Sequence, residues 1–223
     1  MSDTSLLKTV AARGAASSER KQLQRFDWLQ KALEIFVSEG IGAVRITRLA
    51  GDLGVTRGSF YWHFANREEL IDTLVSFWKS KNTPAITQSV DEAISLADGI
   101  FRFFETCIDA VLFDPRLDLA IREWSRRSKR IRKLVDQEDA ARIESLQEFF
   151  ARFGYPMPDA LIRARVLYYS QIGFYALEIQ EPLTIRLGYT EAYFECFTGQ
   201  KLEPGEADKF RQHILDTYGG KLS

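Results

Sequence analysis

Apolar residues recur at spacings of three and four along most of this 223-residue chain, which is the periodicity of amphipathic α-helices. They fall near the start at Phe26, Leu29, Leu33, Phe36 and Val37, and later at Ile94, Ala97, Phe101, Phe104, Ile108 and Val111. Glycine and proline separate such segments, and no alternating pattern persists long enough to predict a strand. The sequence therefore predicts an all-α fold.

The breaks set the expected limits of the helices. Helices are expected over about residues 26–39, 47–53, 57–64, 67–81, 94–111, 117–127, 131–153, 159–180, 190–198 and 206–218. Pro84 is expected to mark a boundary, because proline in a helix interior removes a backbone hydrogen bond. The length suits one large domain or two small ones.

Charge is unevenly distributed along the chain. The net charge is −1, but residues 1–67 carry 10 Lys and Arg against 6 Asp and Glu, and residues 68–223 carry 20 against 25. The front is therefore +4 and the remainder −5. Such asymmetry is more informative about binding partners than the total charge is. A short basic amino-terminal segment is typical of a small DNA-binding module.

Several functional classes are excluded by composition and motif. The two cysteines, Cys107 and Cys196, form no CxxC pair, and the two histidines, His63 and His213, are too few for a multi-histidine metal site. No nucleophile with a base, P-loop or dinucleotide fingerprint is present. We expect no enzyme, no bound metal and no resident cofactor. Without a signal peptide or membrane span, the protein is expected in the cytoplasm.

The most informative stretch is ITRLAGDLGVTRGSFYWHF, residues 46–64. Two short helices meet around Gly54, which can take a positive φ in the turn, and small Ala50 lies where the helices would cross. This is a helix-turn-helix pattern. The apolar residues that would lock it onto the first helix are Leu49, Leu53, Val55, Phe60 and Phe64.

The other positions of the second short helix are polar or amphipathic aromatic residues: Thr56, Arg57, Gly58, Ser59, Tyr61, Trp62 and His63. A helix that reads DNA needs such a face, with donors for base edges and phosphates. Taken alone, Tyr61, Trp62 and His63 are more typical of an ordinary helix surface that packs on a neighbour.

Residues 26–78 resemble the TetR family of transcriptional regulators. The resemblance rests on the first helix, the IxxLAxxLGV turn from Ile46 to Val55, the SFYWHF segment from Ser59, and NREEL from Asn66. One departure is Arg45, which stands where the family often has Ser or Thr opening the second helix. Thr47 and Arg48 are then expected to help satisfy that helix end.

The resemblance implies a division into a disordered tail (1–20), a helix-turn-helix DNA-binding domain (21–81) and an all-helical ligand-binding and dimerisation domain (82–223). It further implies a ligand-responsive transcriptional regulator. The expected protein is a homodimeric repressor that binds a palindromic operator in double-stranded DNA on the nucleoid and is released by an unidentified small-molecule effector.

The resemblance also assigns DNA contacts. Arg57 is the expected base contact, because its planar donor fork matches a guanine edge. The other implied contacts, to bases, sugars or phosphates, are Thr47, Arg48, Thr56, Gly58, Ser59, Tyr61, Trp62, His63 and Arg67.

In the second domain, residues 159–180 are apolar on more than one side, and the second face could bury against the same domain or against a partner subunit. The resemblance implies that this helix and residues 190–198 pair with those of a second subunit across a two-fold axis. The aromatic residues expected to line an effector cavity are Phe101, Phe104, Trp124, Phe150, Tyr168 and Tyr169. Core packing is the alternative for each of them.

Three alternatives stay open. The cationic run from Arg126 to Lys133 is either a solvated connection between helices or a patch that meets phosphate or an anionic ligand. Cys107 is either a small core residue or a reactive sensor thiol. The whole chain could also be a helical partner-binding protein that keeps the helix-turn-helix fold without reading DNA.

Overall fold

The computed structural model describes residues 23–219, so the tail predicted at 1–20 lies outside the described residues. The fold is all-α, as predicted, and the described part contains no strand. The elements in chain order are α1 (Arg25–Glu39), a 3₁₀ turn (Ile41–Ala43), α2 (Ile46–Asp52), α3 (Arg57–Phe60), α4 (Arg67–Asp91), α5 (Leu96–Ile108), α6 (Pro115–Ser125), α7 (Lys129–Arg152), α8 (Asp159–Ala176), α9 (Leu183–Gly188), α10 (Thr190–Thr198) and α11 (Glu206–Tyr218). No helix within these residues is both long and apolar enough to cross a membrane.

The chain divides into two compact units. The first contains the residues up to Ser80 and the segment Arg116–Arg132, and the second contains Lys81–Pro115 and the residues from Lys133 onward. The predicted division kept 82–223 together, whereas the structure assigns almost all of α6 and the start of α7 to the first unit. The reason is packing: Trp124 contacts Phe36 edge to face, with ring centroids 5.9 Å apart.

The first unit is built around large buried aromatic side chains. Trp28, Phe60 and Trp78 are fully buried, and Phe64 is nearly so. Trp28 meets Phe60 edge to face at 5.3 Å, so α1 and α3 share one core. Because these side chains interdigitate at close range, the roll of α3 about its axis is fixed by Phe60.

Pro84 does not end a helix: α4 runs through it to Asp91, which corrects the predicted boundary. An interior proline costs about 3 kcal/mol or more in an isolated helix. Tertiary packing offsets that cost here, because Ile86 and Val90 are almost completely buried in the core of the second unit. Asn82 also bonds with the backbone of Asp114, as donor at 2.9 Å and as acceptor at 3.2 Å.

The buried face of α5 also differs from the predicted one. Ala97, Ile100, Phe103 and Cys107 are its most buried apolar residues, whereas Ile94 is 88% exposed. The helix begins after Ser95, whose Oγ accepts a 3.0 Å hydrogen bond from the backbone N–H of Asp98. Val111 is likewise exposed, since α5 ends at Ile108. The spacing of the apolar residues predicted a longer helix because it does not register a cap.

Two further helix ends differ from the expected ones, and one helix is additional. α3 ends at Phe60 and is followed by a turn, and α8 ends at Ala176, before Glu178 adopts a positive φ of 50°. The short helix α9 was not predicted, because its six residues, which follow Pro182 and end at Gly188, carry too little periodicity.

The core of the second unit encloses a fully buried cation. Arg142 on α7 donates 3.0 Å bonds to the hydroxyls of Thr83 and Tyr168. Tyr168 in turn donates a 2.6 Å bond to Asp139. The guanidinium is therefore held in the apolar interior by two hydroxyls and by the Asp139 carboxylate, which lies 4.0 Å from it.

Candidate nucleic-acid interface

The turn between α2 and α3 is closed by the backbone. Gly54 has φ of +68°, a conformation that residues with a Cβ rarely adopt. The N–H of Val55 then donates a 2.9 Å bond to the carbonyl of Ala50, which is itself buried. Glycine and a small residue at these positions let the two short helices meet closely, as the sequence predicted.

The burial of Phe60 decides which side of α3 faces solvent. Its ring stacks on Phe64 at 5.5 Å and meets Trp28 on the other side. The opposite side of the helix and the turn after it are exposed. We call this the reading surface, and its exposed residues are Thr56, Arg57, Gly58, Tyr61 and Trp62.

Within the reading surface, the aromatic side chains are unusually open. Trp62 is 88% exposed and Tyr61 is 52% exposed, although large apolar side chains are normally buried. Ser59 and His63 are half-buried at its edge. The alternative that these aromatics pack on a neighbouring helix therefore does not hold for Trp62 within the first unit.

Arg57 lies at the start of α3 with its guanidinium exposed. Among residues 23–219, no carboxylate or carbonyl accepts a hydrogen bond from it. All five of its N–H donors are available to an external acceptor. A planar fork of donors at the start of an exposed helix can bind a guanine edge or a phosphate.

Gly58 carries a second indication that something approaches this surface. A Cβ built there would meet only the Thr56 hydroxyl, at an ordinary contact distance of 3.6 Å. The protein's own packing therefore gives no reason for glycine, which is a poor helix former. Absence of a side chain at this exposed position permits close approach by another molecule.

Arg48 and Thr47 lie on α2, and both are exposed. Arg48 donates to Asp52 at 2.8 Å and to Glu39 at 3.1 Å. The hydrogen bond and charge of Asp52 raise the pKa of the guanidinium further above its ordinary value. A phosphate must therefore compete with two carboxylates for this cation.

The expected help from Thr47 and Arg48 at the start of α2 is absent from the described structure. Arg45 precedes the helix without any side-chain cap, and its guanidinium bonds the carbonyl of Gly42 at 3.1 Å. Arg48 points instead to the carboxylates of Asp52 and Glu39. The arginine that replaces Ser or Thr thus fastens the preceding 3₁₀ turn and does not cap α2.

Arg67 opens α4 and is half-buried. Its guanidinium donates to the carbonyl of Val44 and, at 2.7 Å, to that of Ile41. These bonds fasten the connection between α1 and α2 to α4. Arg67 therefore has a clear structural role, and the phosphate contact implied for it stays a prediction.

Arg25 was not among the expected residues, although it lies in the same unit. Its guanidinium sits 4.4 Å from the Phe64 ring centroid, bonds Thr73 at 3.1 Å and pairs with Glu69 at 3.0 Å. The sequence signal that could have identified Arg25 is a cation in the first position of α1, where the helix dipole disfavours positive charge.

Of the six aromatic residues expected around an effector, four belong to or pack against the main core of the second unit: Phe101, Phe104, Phe150 and Tyr168. Phe101 and Phe104 line one small cavity in the second unit. Phe150 and Tyr168 are buried in the main core, and Tyr169 is 54% exposed. Trp124 belongs to the first unit, where it packs on Phe36.

The cationic run after α6 is exposed and partly neutralised. Arg126 and Arg127 both pair with Glu123, at 3.4 and 3.7 Å. Arg130 pairs with Asp72 at 2.7 Å. These contacts favour the reading as a solvated connection, since exposed pairs of this kind hold the cations at the protein surface.

Comparison with known proteins agrees with this geometry. Residues 29–74 match the model of bacterial regulatory proteins of the TetR family. The HTH-type transcriptional regulator TtgW of Pseudomonas putida is 34% identical over 65 residues, which are 29% of this chain and 47% of that protein. The class A tetracycline repressor of Escherichia coli is 25% identical over 153 residues, 68% of this chain and 65% of its own length. The chain thus matches less than two thirds of each relative.

Solved structures extend the likeness of fold. The ketosteroid transcriptional regulator KstR2 of Mycobacterium tuberculosis matches 84% of this chain and 97% of its own, with a TM-score of 0.60 and 18% identity. AmtR of Mycobacterium smegmatis matches 90% and 98%, with a TM-score of 0.59 and 16% identity.

The matched segment, residues 29–74, contains α2, the Gly54 turn and α3, which carry the reading surface. The relatives found are regulators, and TetR-family proteins are not enzymes. Residues 29–74 are thus the segment that this chain shares with bacterial regulatory proteins of the TetR family.

Proposed function

We propose that this protein is a DNA-binding transcriptional regulator whose reading surface enters the major groove. The observation that carries the proposal is the fixed roll of α3. Phe60 is fully buried, so Arg57 and Gly58 face solvent, and Arg57 has no acceptor among the described residues. A short exposed helix with free donors is what base and phosphate recognition requires.

The proposed contacts fall into two groups. Arg57 reads a guanine edge, and Ser59 reaches a base or a phosphate. Tyr61, Trp62 and His63 pack against the sugar-phosphate backbone, as amphipathic aromatics can. The remaining proposed positions, on the flanks and at the helix start, are Thr47, Arg48, Thr56, Gly58 and Arg67.

We further propose that the second unit forms the dimer. On α8, Ile162, Val166 and Tyr169 are exposed at spacings of four and three, and so form one apolar stripe on a single helix face. A stripe of this kind on a soluble protein marks an interaction surface. A second copy pairing α8 and α10 across a two-fold axis would cover it, and the operator would then be nearly palindromic.

The dimer is tested by size exclusion with light scattering at micromolar concentration. The wild-type chain is expected at twice the 25.6 kDa of the monomer. Tyr169→Glu places a charge in the stripe and is expected to give monomer with unchanged helicity. A wild-type monomer would contradict the proposal.

The last part of the proposal is that the protein represses transcription and that an effector releases it from DNA. A small-molecule effector that binds the second unit would shift the population toward a state whose two reading helices no longer match the groove spacing. The class A tetracycline repressor is named as a repressor, and we extend repression to this chain as a proposal. The protein would then act in the cytoplasm, on nucleoid DNA.

The decisive experiment selects an operator from random DNA with the purified protein. Arg57→Ala and Tyr61→Ala are expected to lose operator affinity with unchanged thermal stability, and Arg57→Ala costs about 1–3 kcal/mol at one base position. Lys201→Ala, an exposed cation in the second unit, is the matched control. Failure to enrich any sequence would favour the helical protein that does not read DNA.

A further inference from the structure

A small cavity in the second unit lies among α5, α9, α10 and α11. Its volume is about 50 Å³, which is room for one or two waters. Seven of its ten lining residues are purely apolar: Ile100, Phe101, Phe104, Ile108, Leu183, Leu187 and Phe210. The others are Arg186, Thr190 and Tyr193.

Arg186 is the one charged residue in that lining. Its guanidinium sits 4.4 Å from the centroid of the Phe174 ring, and no carboxylate within residues 23–219 lies at ion-pair distance from it. A half-buried cation whose neighbours are a ring and an apolar wall is electrostatically unsatisfied. Among the described residues, Arg186 makes no hydrogen bond with the Thr190 hydroxyl, which donates its proton to the carbonyl of Leu187 at 2.7 Å.

A pair of stacked rings lies between this cavity and a larger open cleft. Phe101 on α5 and Phe210 on α11 lie parallel, with centroids 4.3 Å apart and an angle of 6° between planes. The same two residues line an open cleft of about 540 Å³ between α5 and α11. Rotation of Phe210 would therefore join the small cavity to the cleft.

The helix that carries Arg186 has limited anchorage. Leu187 packs in a small apolar cluster with Ile214 and Tyr218, separate from the main core. Elements held by few buried contacts open locally at lower free energy than core helices do. The cavity can therefore enlarge without disruption of the main core around Phe150.

We propose that this cavity binds a small apolar carboxylate, with its anionic group on Arg186 and its hydrocarbon part among Ile100, Phe104 and Leu183. The chemistry follows from the lining: one unpaired guanidinium, which prefers a carboxylate as bidentate partner, at the end of an apolar space. Longer ligands reach the cleft by displacing Phe210. This inference names a ligand class for the effector of the proposed function. It rests on that proposal only where it predicts an effect of the ligand on DNA binding.

The test is isothermal titration calorimetry with butanoate, hexanoate, octanoate and decanoate, and with octanol and octylamine as neutral and cationic counterparts. Octanoate is expected to bind the wild type at least about tenfold more tightly than octanol. Arg186→Gln should remove that preference and leave octanol binding unchanged. Lys201→Gln, at an exposed cation between α10 and α11, is the matched control and should behave as the wild type.

The chain-length series tests the pair of stacked rings. Affinity should rise about fourfold per added CH₂ while the chain fits, and then level off where Phe210 blocks it. Phe210→Ala should move that limit to longer carboxylates. Thermal unfolding without ligand shows whether each variant is folded.

The outcomes separate the two proposals. Equal affinity for octanoate and octanol in the wild type, or no binding in either the wild type or Phe210→Ala, would overturn the site. Carboxylate binding that depends on Arg186 supports the site whether or not the ligand changes operator affinity. If operator affinity does not change, only the effector role is contradicted. A protein that binds no DNA would contradict the proposed function and leave the calorimetric result intact.

Discussion

The indole Nε1 of Trp78 donates a 2.8 Å hydrogen bond to the carboxylate of Asp118, which is only 1% exposed. Arg122 donates a 2.7 Å bond to the other carboxylate oxygen. A residue of α4 and a residue of α6 are thereby joined inside the first unit. Because a buried carboxylate costs several kcal/mol unless it is paired and hydrogen-bonded, these donors are what makes Asp118 tolerable there.

Asp118→Ala is expected to lower the free energy of unfolding by about 3 kcal/mol, since it leaves a buried indole N–H and a guanidinium without this acceptor. Urea unfolding followed by circular dichroism measures the loss. The matched control is Asp72→Ala, which removes the exposed partner of Arg130 and should cost about 0–1 kcal/mol. Equal losses in the two variants would contradict the prediction.

Gly58→Ala is expected to separate stability from DNA binding. The added Cβ meets only an ordinary contact, so the free protein should gain about 0.5–1 kcal/mol of helix propensity. Operator affinity should fall, because the methyl group occupies space that the DNA needs. Gly51→Ala on α2, where a Cβ meets nothing within 4 Å, should stabilise the protein without loss of affinity. Full operator affinity in Gly58→Ala would argue against close approach at α3.

Arg67→Ala and Arg57→Ala are expected to differ in stability although both should weaken DNA binding. Arg67 holds two backbone carbonyls, so its loss should cost about 1–3 kcal/mol of unfolding free energy. Arg57 has no such partners among the described residues, and its loss should stay within about 0.5 kcal/mol. Denaturation midpoints and operator affinities, measured on the same two variants, test this prediction. A stable Arg67→Ala variant would show that the carbonyl contacts carry little energy.

Cys107 is expected to resist alkylation in the native protein. Burial raises the pKa of its thiol to about 12, so the thiolate that reacts is a minor species at neutral pH and becomes abundant only near that pKa. Iodoacetamide at pH 8 should modify exposed Cys196 and spare Cys107, as peptide mass spectrometry would show. In urea both should react. Rapid alkylation of Cys107 in the native protein would instead support the alternative that Cys107 is a reactive sensor thiol.

The sequence was most informative where function requires particular residues at fixed spacings. Gly54, Phe60 and Trp62 each occupy the environment that the helix-turn-helix pattern predicted: a positive φ, a buried core position and an exposed surface. The prediction is reliable in this segment because a short turn and one buried aromatic residue leave the backbone between them little conformational freedom.

Prediction was weaker where long-range packing decides the outcome. Periodicity could not show that Pro84 lies inside α4, because the compensating contacts of Asn82 with Asp114 join residues 32 positions apart. It could not place Trp124 in the first unit either, or show that Arg48 already has two carboxylate partners.

By itself, then, the sequence determined the all-α class, the site of the helix-turn-helix and the side of α3 that faces outward. These depend on local periodicity, turn chemistry and the burial of large apolar side chains. Only the tertiary structure decided which cations are already paired and which one, Arg186, faces an apolar cavity without a carboxylate. Pairing and cavity formation depend on side chains distant in sequence, and no local pattern encodes those distances.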